Sequence, residues 1–184
     1  MAPDGTAYVA AFNDKVYAIT PVGTLRWVRA FGLFGLNVAS PAIGADGTVY
    51  VGSINGKLYA LDDLTGESLW SFSAAGEISS PAVGADGTIY VGAVNGRLYA
   101  LGRDGAQKWS FATGARVLSS PAIDAQGRIY FGSDDDRIYA VSSTGSQVFS
   151  LRTGGDVRSS PALTANGGLV VGSSDGKVYA LGAP

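Results

Sequence analysis

The sequence predicts an all-β fold, a β-propeller built from four-stranded antiparallel blades. Three observations support this prediction: a repeat of about 40 residues, tight-turn signals inside each repeat, and no helical period among the hydrophobic residues. Aligning the chain on Ser-Pro-Ala brings four prolines into register: Pro41, Pro81, Pro121 and Pro161. We therefore expect one propeller domain over residues 1–184, with repeats at 1–40, 41–80, 81–120, 121–160 and 161–184, of which the last is partial.

Tight turns divide each repeat into four short strands. Asn-Gly and Asp-Gly pairs tolerate the positive φ values of two-residue hairpin turns, so each pair marks a reversal between antiparallel strands. In the second repeat the turns are Asp46-Gly47, Asn55-Gly56 and a third that contains Gly66. In the third repeat, strand A reads Ser-Ser-Pro-Ala-Val, strand B Ile-Tyr-Val-Gly and strand C Leu-Tyr-Ala-Leu, and strand D carries the tryptophan. Apolar side chains on both strand faces favour a propeller, with a solenoid as the rival architecture.

The two ends of the chain predict incomplete blades. The sequence starts at the A–B turn Asp4-Gly5 and ends after the C strand at 177–181, which predicts 18 strands: five B, five C, four A and four D. The first blade then lacks its inner strand and the last its outer strand. Two interpretations remain open: a monomer of about five blades with defective ends, or part of a larger ring that a second copy or more chain completes. Repeats this regular also fit an engineered or excised fragment.

The prolines predict which strand lies innermost. Proline cannot donate to a strand ladder, so strand A is expected at an edge, with its unpaired side toward a central tunnel. Small polar residues suit a narrow, hydrated tunnel. The serines that precede each proline are therefore expected to flank it: Ser79, Ser80, Ser119, Ser120, Ser159 and Ser160.

The segment 60–70 resembles the tryptophan-docking motif of the quinoprotein, or pyrroloquinoline-quinone (PQQ)-type, propeller repeat. The residues of that motif fall without a gap on Ala60, Asp62, Thr65, Gly66 and Trp70. The other repeats keep a version that is one residue shorter in the turn, so the resemblance covers essentially the whole chain. It implies that one aromatic residue of each D strand packs between adjacent blades, at Trp27, Trp70, Trp109 and Phe149.

The resemblance also has functional implications. Quinoprotein dehydrogenases of this type carry calcium, a catalytic Asp and often a disulfide of adjacent cysteines, and no catalytic or calcium-binding position of theirs can be matched here. Non-enzymatic relatives include the lipoprotein of the outer-membrane barrel-assembly machinery and sensor domains fused to kinases. These relatives imply a binding scaffold. They also imply a periplasmic or extracellular location, although Met1-Ala-Pro-Asp-Gly5 does not resemble a signal peptide and leaves the compartment open.

Composition excludes several function classes. The chain has no Cys and no His, which removes thiol catalysis, thiolate metal sites and the usual general base. A net charge of −2 without a basic stripe argues against nucleic acid binding, and no apolar stretch is long enough for membrane insertion. The acidic run at 134–136 is expected to be a solvated turn rather than a calcium site. We predict a protein that is not an enzyme, with no catalytic residue, cofactor or metal.

Two sets of residues are candidates for a binding surface. Both lie in D-to-A loops, which share one face of the propeller with the B–C turns, called the top face below. The first loop is longer than the others and offers apolar side chains for a partner, for self-association, for plugging the tunnel or for capping the incomplete first blade: Phe31, Leu33, Phe34 and Leu36. The later loops place charges at the tunnel rim, which could bind an anionic small molecule: Glu77, Arg116, Asp156 and Arg158.

Three functions remain compatible with these observations. The leading hypothesis is a non-catalytic scaffold that binds a protein partner or a second copy of itself. The second is a small-ligand or quinone-binding remnant of a quinoprotein dehydrogenase fold. The third is an engineered or excised repeat chain without a ligand.

Overall fold

A computed structural model describes residues 2–31 and 39–182, which form eighteen strands in five antiparallel sheets and no helix. Blade 1 contains β1 (Ala7–Ala11), β2 (Lys15–Ile19) and β3 (Leu25–Ala30). Blade 2 contains β4 (Ala42–Ile43), β5 (Val49–Gly52), β6 (Lys57–Leu61) and β7 (Ser68–Ser73). Blade 3 contains β8 (Ala82–Val83), β9 (Ile89–Ala93), β10 (Arg97–Leu101) and β11 (Gln107–Ala112). Blade 4 contains β12 (Ala122–Ile123), β13 (Ile129–Ser133), β14 (Arg137–Val141) and β15 (Gln147–Arg152), and blade 5 contains β16 (Ala162–Leu163), β17 (Leu169–Gly172) and β18 (Val178–Leu181).

The strand order confirms the predicted propeller blades. Blades 2, 3 and 4 each have the order A–B–C–D, blade 1 has B, C and D, and blade 5 has A, B and C. The A strands of neighbouring blades approach each other, β4 beside β8 and β12 beside β16, so strand A lies at the inner edge of its sheet. The turn glycines have the expected left-handed conformation, for example Gly56 at φ 82° and Gly96 at φ 78°.

Strand A is shorter than the sequence predicts, with two residues rather than five. In blade 3 the backbone N–H of Ser79 donates to the carbonyl of Gly92 (2.9 Å), and the N–H of Gly92 donates to the Ser79 hydroxyl (2.9 Å). The serine side chain thus replaces a backbone acceptor. Because Pro81 has no N–H, regular pairing resumes only at Ala82.

These contacts correct the prediction that all six serines flank the tunnel. Ser79 and Ser119 are buried, and their hydroxyls bond to glycines of their own blade, Gly92 and Gly132. The second serine of the pair, directly before the proline, has a different role at Ser80 and Ser160. The Ser80 hydroxyl accepts from the N–H of Ser40 (2.8 Å), which links the inner edges of neighbouring repeats. The Ser160 hydroxyl accepts from the N–H of Ser120 (3.0 Å) in the same way.

The hydrophobic core lies between blades. Side chains alternate along each strand between the two faces of a blade. We call the face toward the next blade along the chain the forward face, and the face toward the previous blade the backward face. In blade 2 the forward face includes Tyr50 and Leu58, and they pack in one cluster with Ile89 and Val91 on the backward face of blade 3. Three further clusters join blades 1 and 2, 3 and 4, and 4 and 5 in the same way. Each blade is therefore stabilised chiefly by the neighbour that covers it.

Candidate functional site

The D-strand tryptophans of blades 1, 2 and 3 dock on the C–D turn of the next blade. Their indole N–H groups donate to backbone carbonyls across the blade boundary: Trp27 to Asp63 (2.8 Å), Trp70 to Arg103 (2.7 Å) and Trp109 to Ser143 (2.9 Å). Each ring also lies against a glycine of that turn, which is Gly66, Gly105 or Gly145. If the glycine carried a Cβ, that atom would lie only 2.7–2.8 Å from the ring. Glycine is required at these turns for two reasons, a positive φ and the close approach of an aromatic ring.

Phe149 stands at the equivalent position of blade 4. It contacts Tyr130 with ring centroids 6.2 Å apart and faces blade 5. A phenyl ring has no N–H to donate and is smaller than an indole. Beside it lies a mainly apolar cavity of about 250 Å³ between blades 4 and 5, whose lining includes Leu151, Leu169 and Leu181.

Blade 1 has the same turn at its C–D hairpin, but no residue of the described chain docks there. Gly23 has φ 81°, as at the other docking turns, yet among the described residues no atom beyond those of Gly23 and its two chain neighbours lies within 4 Å of the position that its Cβ would take. The neighbouring Val22 and Leu25 are exposed. The turn at Gly23 is therefore a docking site without an occupant among residues 2–31 and 39–182.

Three of the four rim residues meet in one ion-pair network on the top face. Arg116 and Arg158 come from successive D-to-A loops, and both contact the carboxylate of Asp134, at 2.7 and 2.9 Å. Arg158 also contacts Asp156 at 2.6 Å. The side chain of Asp134 is only 6% exposed, whereas those of the two arginines are about half exposed. A buried carboxylate thus positions two guanidinium groups at the surface, and its hydrogen bond raises the pKa of Arg158 above the ordinary value.

This network corrects the prediction that residues 134–136 form a solvated turn. Asp134 is ion-paired, and Asp135 accepts hydrogen bonds from the Tyr139 hydroxyl and the backbone N–H of Gly114, both at 2.7 Å. The bond from Gly114 crosses from the D-to-A loop of blade 3 to the B–C turn of blade 4, so these segments share one face. Sequence reasoning missed Asp134. Its place in a B–C turn could have predicted its role, because the B–C turns lie on the same face as the loops that carry Arg116 and Arg158.

The same contact recurs one blade later and has an electrostatic consequence. Asp175 accepts from the Tyr179 hydroxyl (2.7 Å) and from the N–H of Gly154 (2.9 Å). The hydrogen bond from Tyr179, helped by backbone N–H groups of Lys177 and Gly154, lowers the pKa of Asp175 to about 2. Within the described residues no group of three or more acidic side chains is arranged to hold a metal ion. The Oδ2 atoms of Asp135 and Asp175 thus bond to the protein itself.

The remaining candidates are not brought into that network. Phe31 packs against Tyr59 of blade 2, with ring centroids 4.7 Å apart, and joins the cluster between blades 1 and 2. Leu33, Phe34 and Leu36 lie outside the described residues. Glu77 lies in the D-to-A loop before blade 3, where its backbone carbonyl accepts from the N–H of Val94 (3.0 Å).

The opposite face carries a groove between the A–B turns of blades 4 and 5. Its volume is about 730 Å³, and its lining includes Asp124, Arg128 and Asn166. Burial would raise the pKa of Asp124, but hydrogen bonds from Arg128 and Tyr130 outweigh it and lower that pKa below its ordinary value. Arg128 and Tyr130, both in the same blade as Asp124, hold its carboxylate in these hydrogen bonds. Asp124 is therefore not free to act as a catalytic acid or base in this groove.

Comparisons with known proteins agree with this architecture. The family described as outer membrane protein assembly factor BamB matches over residues 13–123 and 103–183. The crystal structure of BamB from Moraxella catarrhalis superposes with a TM-score of 0.84 at 24% sequence identity, over 99% of this chain and 56% of that one. The chain thus spans little more than half the length of that protein. No curated protein sequence matches, and no helix in the described segments is long and apolar enough to cross a membrane.

Proposed function

The chain belongs to the family of the outer membrane protein assembly factor BamB, and from this premise we propose that it is a non-catalytic β-propeller scaffold that binds another protein during outer membrane protein assembly. A scaffold needs a rigid surface with positioned side chains rather than a reactive group. The absence of Cys and His from the sequence is consistent with that role.

The observation that supports a binding role most directly is the network around Asp134. The carboxylate is buried and holds Arg116 and Arg158, so ordering these side chains costs little further entropy when a partner binds. Each guanidinium has five N–H donors, of which the internal contacts use only some. Arginine is enriched among the residues that dominate protein interfaces. We propose that the top face of blades 3–5 binds an acidic segment of the partner through these two arginines.

A complementation experiment tests this proposal. The chain is exported to the periplasm of a Gram-negative host that lacks its own BamB, and the amount of folded outer-membrane barrel proteins is measured. The variant Arg116→Ala/Arg158→Ala is compared with Arg103→Ala, which removes an exposed arginine from a C–D turn on the opposite face. We expect the wild type and Arg103→Ala to restore barrel protein levels and the double variant to lose most of that effect.

Two further results complete the test. Thermal unfolding of each purified variant shows whether the double substitution has impaired folding, because loss of both arginines leaves Asp134 buried without a partner. The charge-reversed variant Arg158→Glu retains a long polar side chain and should also fail. Failure of the wild type to restore barrel protein levels, or full activity of a correctly folded double variant, would overturn the proposed role of this face.

A further inference from the structure

We infer that Asn166, in the A–B turn of blade 5, is a site of spontaneous deamidation, in which the backbone nitrogen of Gly167 displaces the side-chain amide as ammonia. The chain contains three Asn-Gly pairs, and structural differences between them single out this one. Asn166 lines the groove on the face opposite the Asp134 network. The inference therefore goes beyond the proposed partner binding and does not depend on it.

The three Asn-Gly pairs lie in turns with the same backbone geometry. Gly56, Gly96 and Gly167 have φ of 82°, 78° and 80°. In each turn the glycine N–H donates to the carbonyl three residues earlier, at 3.1, 3.1 and 2.9 Å. Any difference in reactivity between the pairs must therefore come from the side chains and from the segments around the turns.

Tyrosine hydroxyls hold the side-chain amides of the other two asparagines. The Nδ2 of Asn55 donates to Tyr59 at 3.0 Å, and the Nδ2 of Asn95 donates to Tyr99 at 2.7 Å. The Oδ1 of Asn55 is also held, by the backbone N–H of Lys57 at 3.0 Å. Deamidation requires the side-chain carbonyl carbon to turn toward the glycine nitrogen, so each of these hydrogen bonds opposes the reaction.

The glycines of these two turns are held by the D-to-A loop of their own blade. The carbonyl of Gly56 accepts from the N–H of Ala74 at 2.8 Å. The carbonyl of Gly96 accepts from both the N–H and the hydroxyl of Thr113, at 2.8 and 2.9 Å. Closure of the five-membered imide ring rotates the peptide between asparagine and glycine. The reaction in these turns therefore has to disturb the loop contacts as well.

Asn166 lacks both kinds of restraint. Its Nδ2 has no hydrogen-bond partner among the described residues, and the same holds for the carbonyl of Gly167. Its Oδ1 accepts from the hydroxyl of Thr164 at 2.6 Å. A hydrogen bond to this oxygen polarises the amide and stabilises the oxyanion that forms when the nitrogen attacks. Thr164 therefore assists the reaction, whereas the tyrosines of the other turns oppose it.

The exposure of Asn166 is a property of the A–B turn. The equivalent residues of blades 2, 3 and 4 are Asp46, Asp86 and Gln126, and all three are exposed although a further blade follows each of them. Asn166 also lines the groove of about 730 Å³ between blades 4 and 5. Water therefore has access to the site where the imide forms.

The reaction has two steps. The Gly167 nitrogen bonds to the Cγ of Asn166, the Cγ–Nδ2 bond breaks, and the proton of the glycine N–H leaves with the amide as ammonia by way of water. Water then adds to one of the two carbonyl carbons of the imide and opens the ring to aspartate or isoaspartate. Either product adds one negative charge to the groove that Asp124 lines, and isoaspartate also lengthens the turn backbone by one methylene.

The experiment incubates the purified, folded chain at mildly alkaline pH and follows each Asn-Gly pair by peptide mass spectrometry. Trypsin places every pair in a separate peptide, because it cleaves after Arg29, Lys57, Arg97, Arg158 and Lys177. We expect Asn166 to convert at least about tenfold faster than Asn55 or Asn95, since reaction there breaks two or more further hydrogen bonds.

Two variants and an unfolded sample make the test specific. Thr164→Val removes the hydroxyl and should slow the conversion of Asn166 several-fold. Tyr99→Phe releases the amide of Asn95 and should accelerate its conversion. In urea-unfolded chain the three rates should agree within a few-fold, because the folded contacts are gone.

Three results would overturn the inference. They are no conversion of Asn166 in the folded chain, conversion of Asn55 or Asn95 at an equal or higher rate, and an unchanged rate at Asn166 in the Thr164→Val variant. None of these measurements involves Arg116 or Arg158, so their outcome and that of the complementation experiment are independent.

Discussion

Inner and end blades of this molecule have nearly the same sequence pattern and very different environments. The C-strand residue of the forward face is fully buried in blades 1–4, and its counterpart in blade 5, Val178, is largely exposed. The docking glycines Gly66, Gly105 and Gly145 touch a tryptophan ring, and Gly23 touches none. Whether a side chain is buried in this fold therefore depends on the neighbouring blade that covers it, and not on its own repeat alone. Single substitutions at equivalent positions should accordingly lower the free energy of unfolding by very different amounts.

The largest difference is expected between Ile138→Ala and Val178→Ala. Ile138 is fully buried between blades 4 and 5, and truncation of such a side chain costs about 2–5 kcal/mol because it leaves a cavity. Val178 loses little contact, so its truncation should cost no more than about 0.5 kcal/mol. Urea unfolding at low protein concentration measures both values. Equal costs would contradict the view that burial comes from the neighbour.

The docking turns give a second matched pair, Gly105→Ala and Gly23→Ala. Both glycines have φ near 80°, so alanine carries the same backbone penalty of about 1–2 kcal/mol at either turn. At Gly105 the new Cβ also meets the ring of Trp70 at 2.7 Å, while at Gly23 it comes within 4 Å of no described residue beyond the chain neighbours. Overpacking should add about 1–3 kcal/mol at Gly105 alone. The difference between the two unfolding free energies isolates the tryptophan contact, and no difference would refute it.

Trp109→Phe converts the contact between blades 3 and 4 into the kind that Phe149 makes between blades 4 and 5. The indole N–H that donates to Ser143 at 2.9 Å is lost, and the carbonyl is left without that donor. We expect a loss of about 1 kcal/mol from the hydrogen bond, together with a smaller loss from reduced packing. Calorimetric unfolding measures the change. Phe149→Leu serves as the control, since it removes an aromatic ring without removing a hydrogen bond.

The smallest expected effect is on the stability of the protein at acid pH. The folded-state pKa of Asp175 is lowered to about 2 from 3.8, so its contribution to stability is complete above about pH 4 and is lost as the pH falls toward 2. Asp175→Asn removes this titration and should flatten the fall in unfolding temperature between pH 4 and pH 2. Asp104→Asn, in an exposed turn, is the control. An unchanged acid limb in Asp175→Asn would show that Tyr179 and Gly154 do not stabilise the carboxylate.

Much of the architecture could be predicted because its signals are local. Asn-Gly and Asp-Gly turns and the apolar runs between them identify the hairpins, and the repeat multiplies each signal. The eighteen strands, the incomplete end blades and the family resemblance are all confirmed. Less predictable was the length of strand A, because side-chain hydroxyls such as that of Ser79 compete with the backbone for the same glycine.

The candidate site was predicted only in part. The loops that bear Arg116 and Arg158 were identified from their place in the repeat, but their partner Asp134 was expected to be solvated. An ion pair between residues 18 or 24 positions apart depends on how adjacent blades are rotated, and no local pattern encodes that rotation. The roles of these arginines in partner binding stay predictions.

By itself, the sequence determined the strands, their turns, the order of strands within a blade and the apolar alternation of both blade faces, because each of these follows from backbone preferences and side-chain periodicity over a few residues. Only the tertiary structure decided which faces are covered, which docking turn has no occupant in the described part of the chain, and which carboxylate is buried beneath two arginines. The physical reason is that burial and ion pairing depend on neighbours far away in the chain, and similar repeats at its middle and its ends have different neighbours.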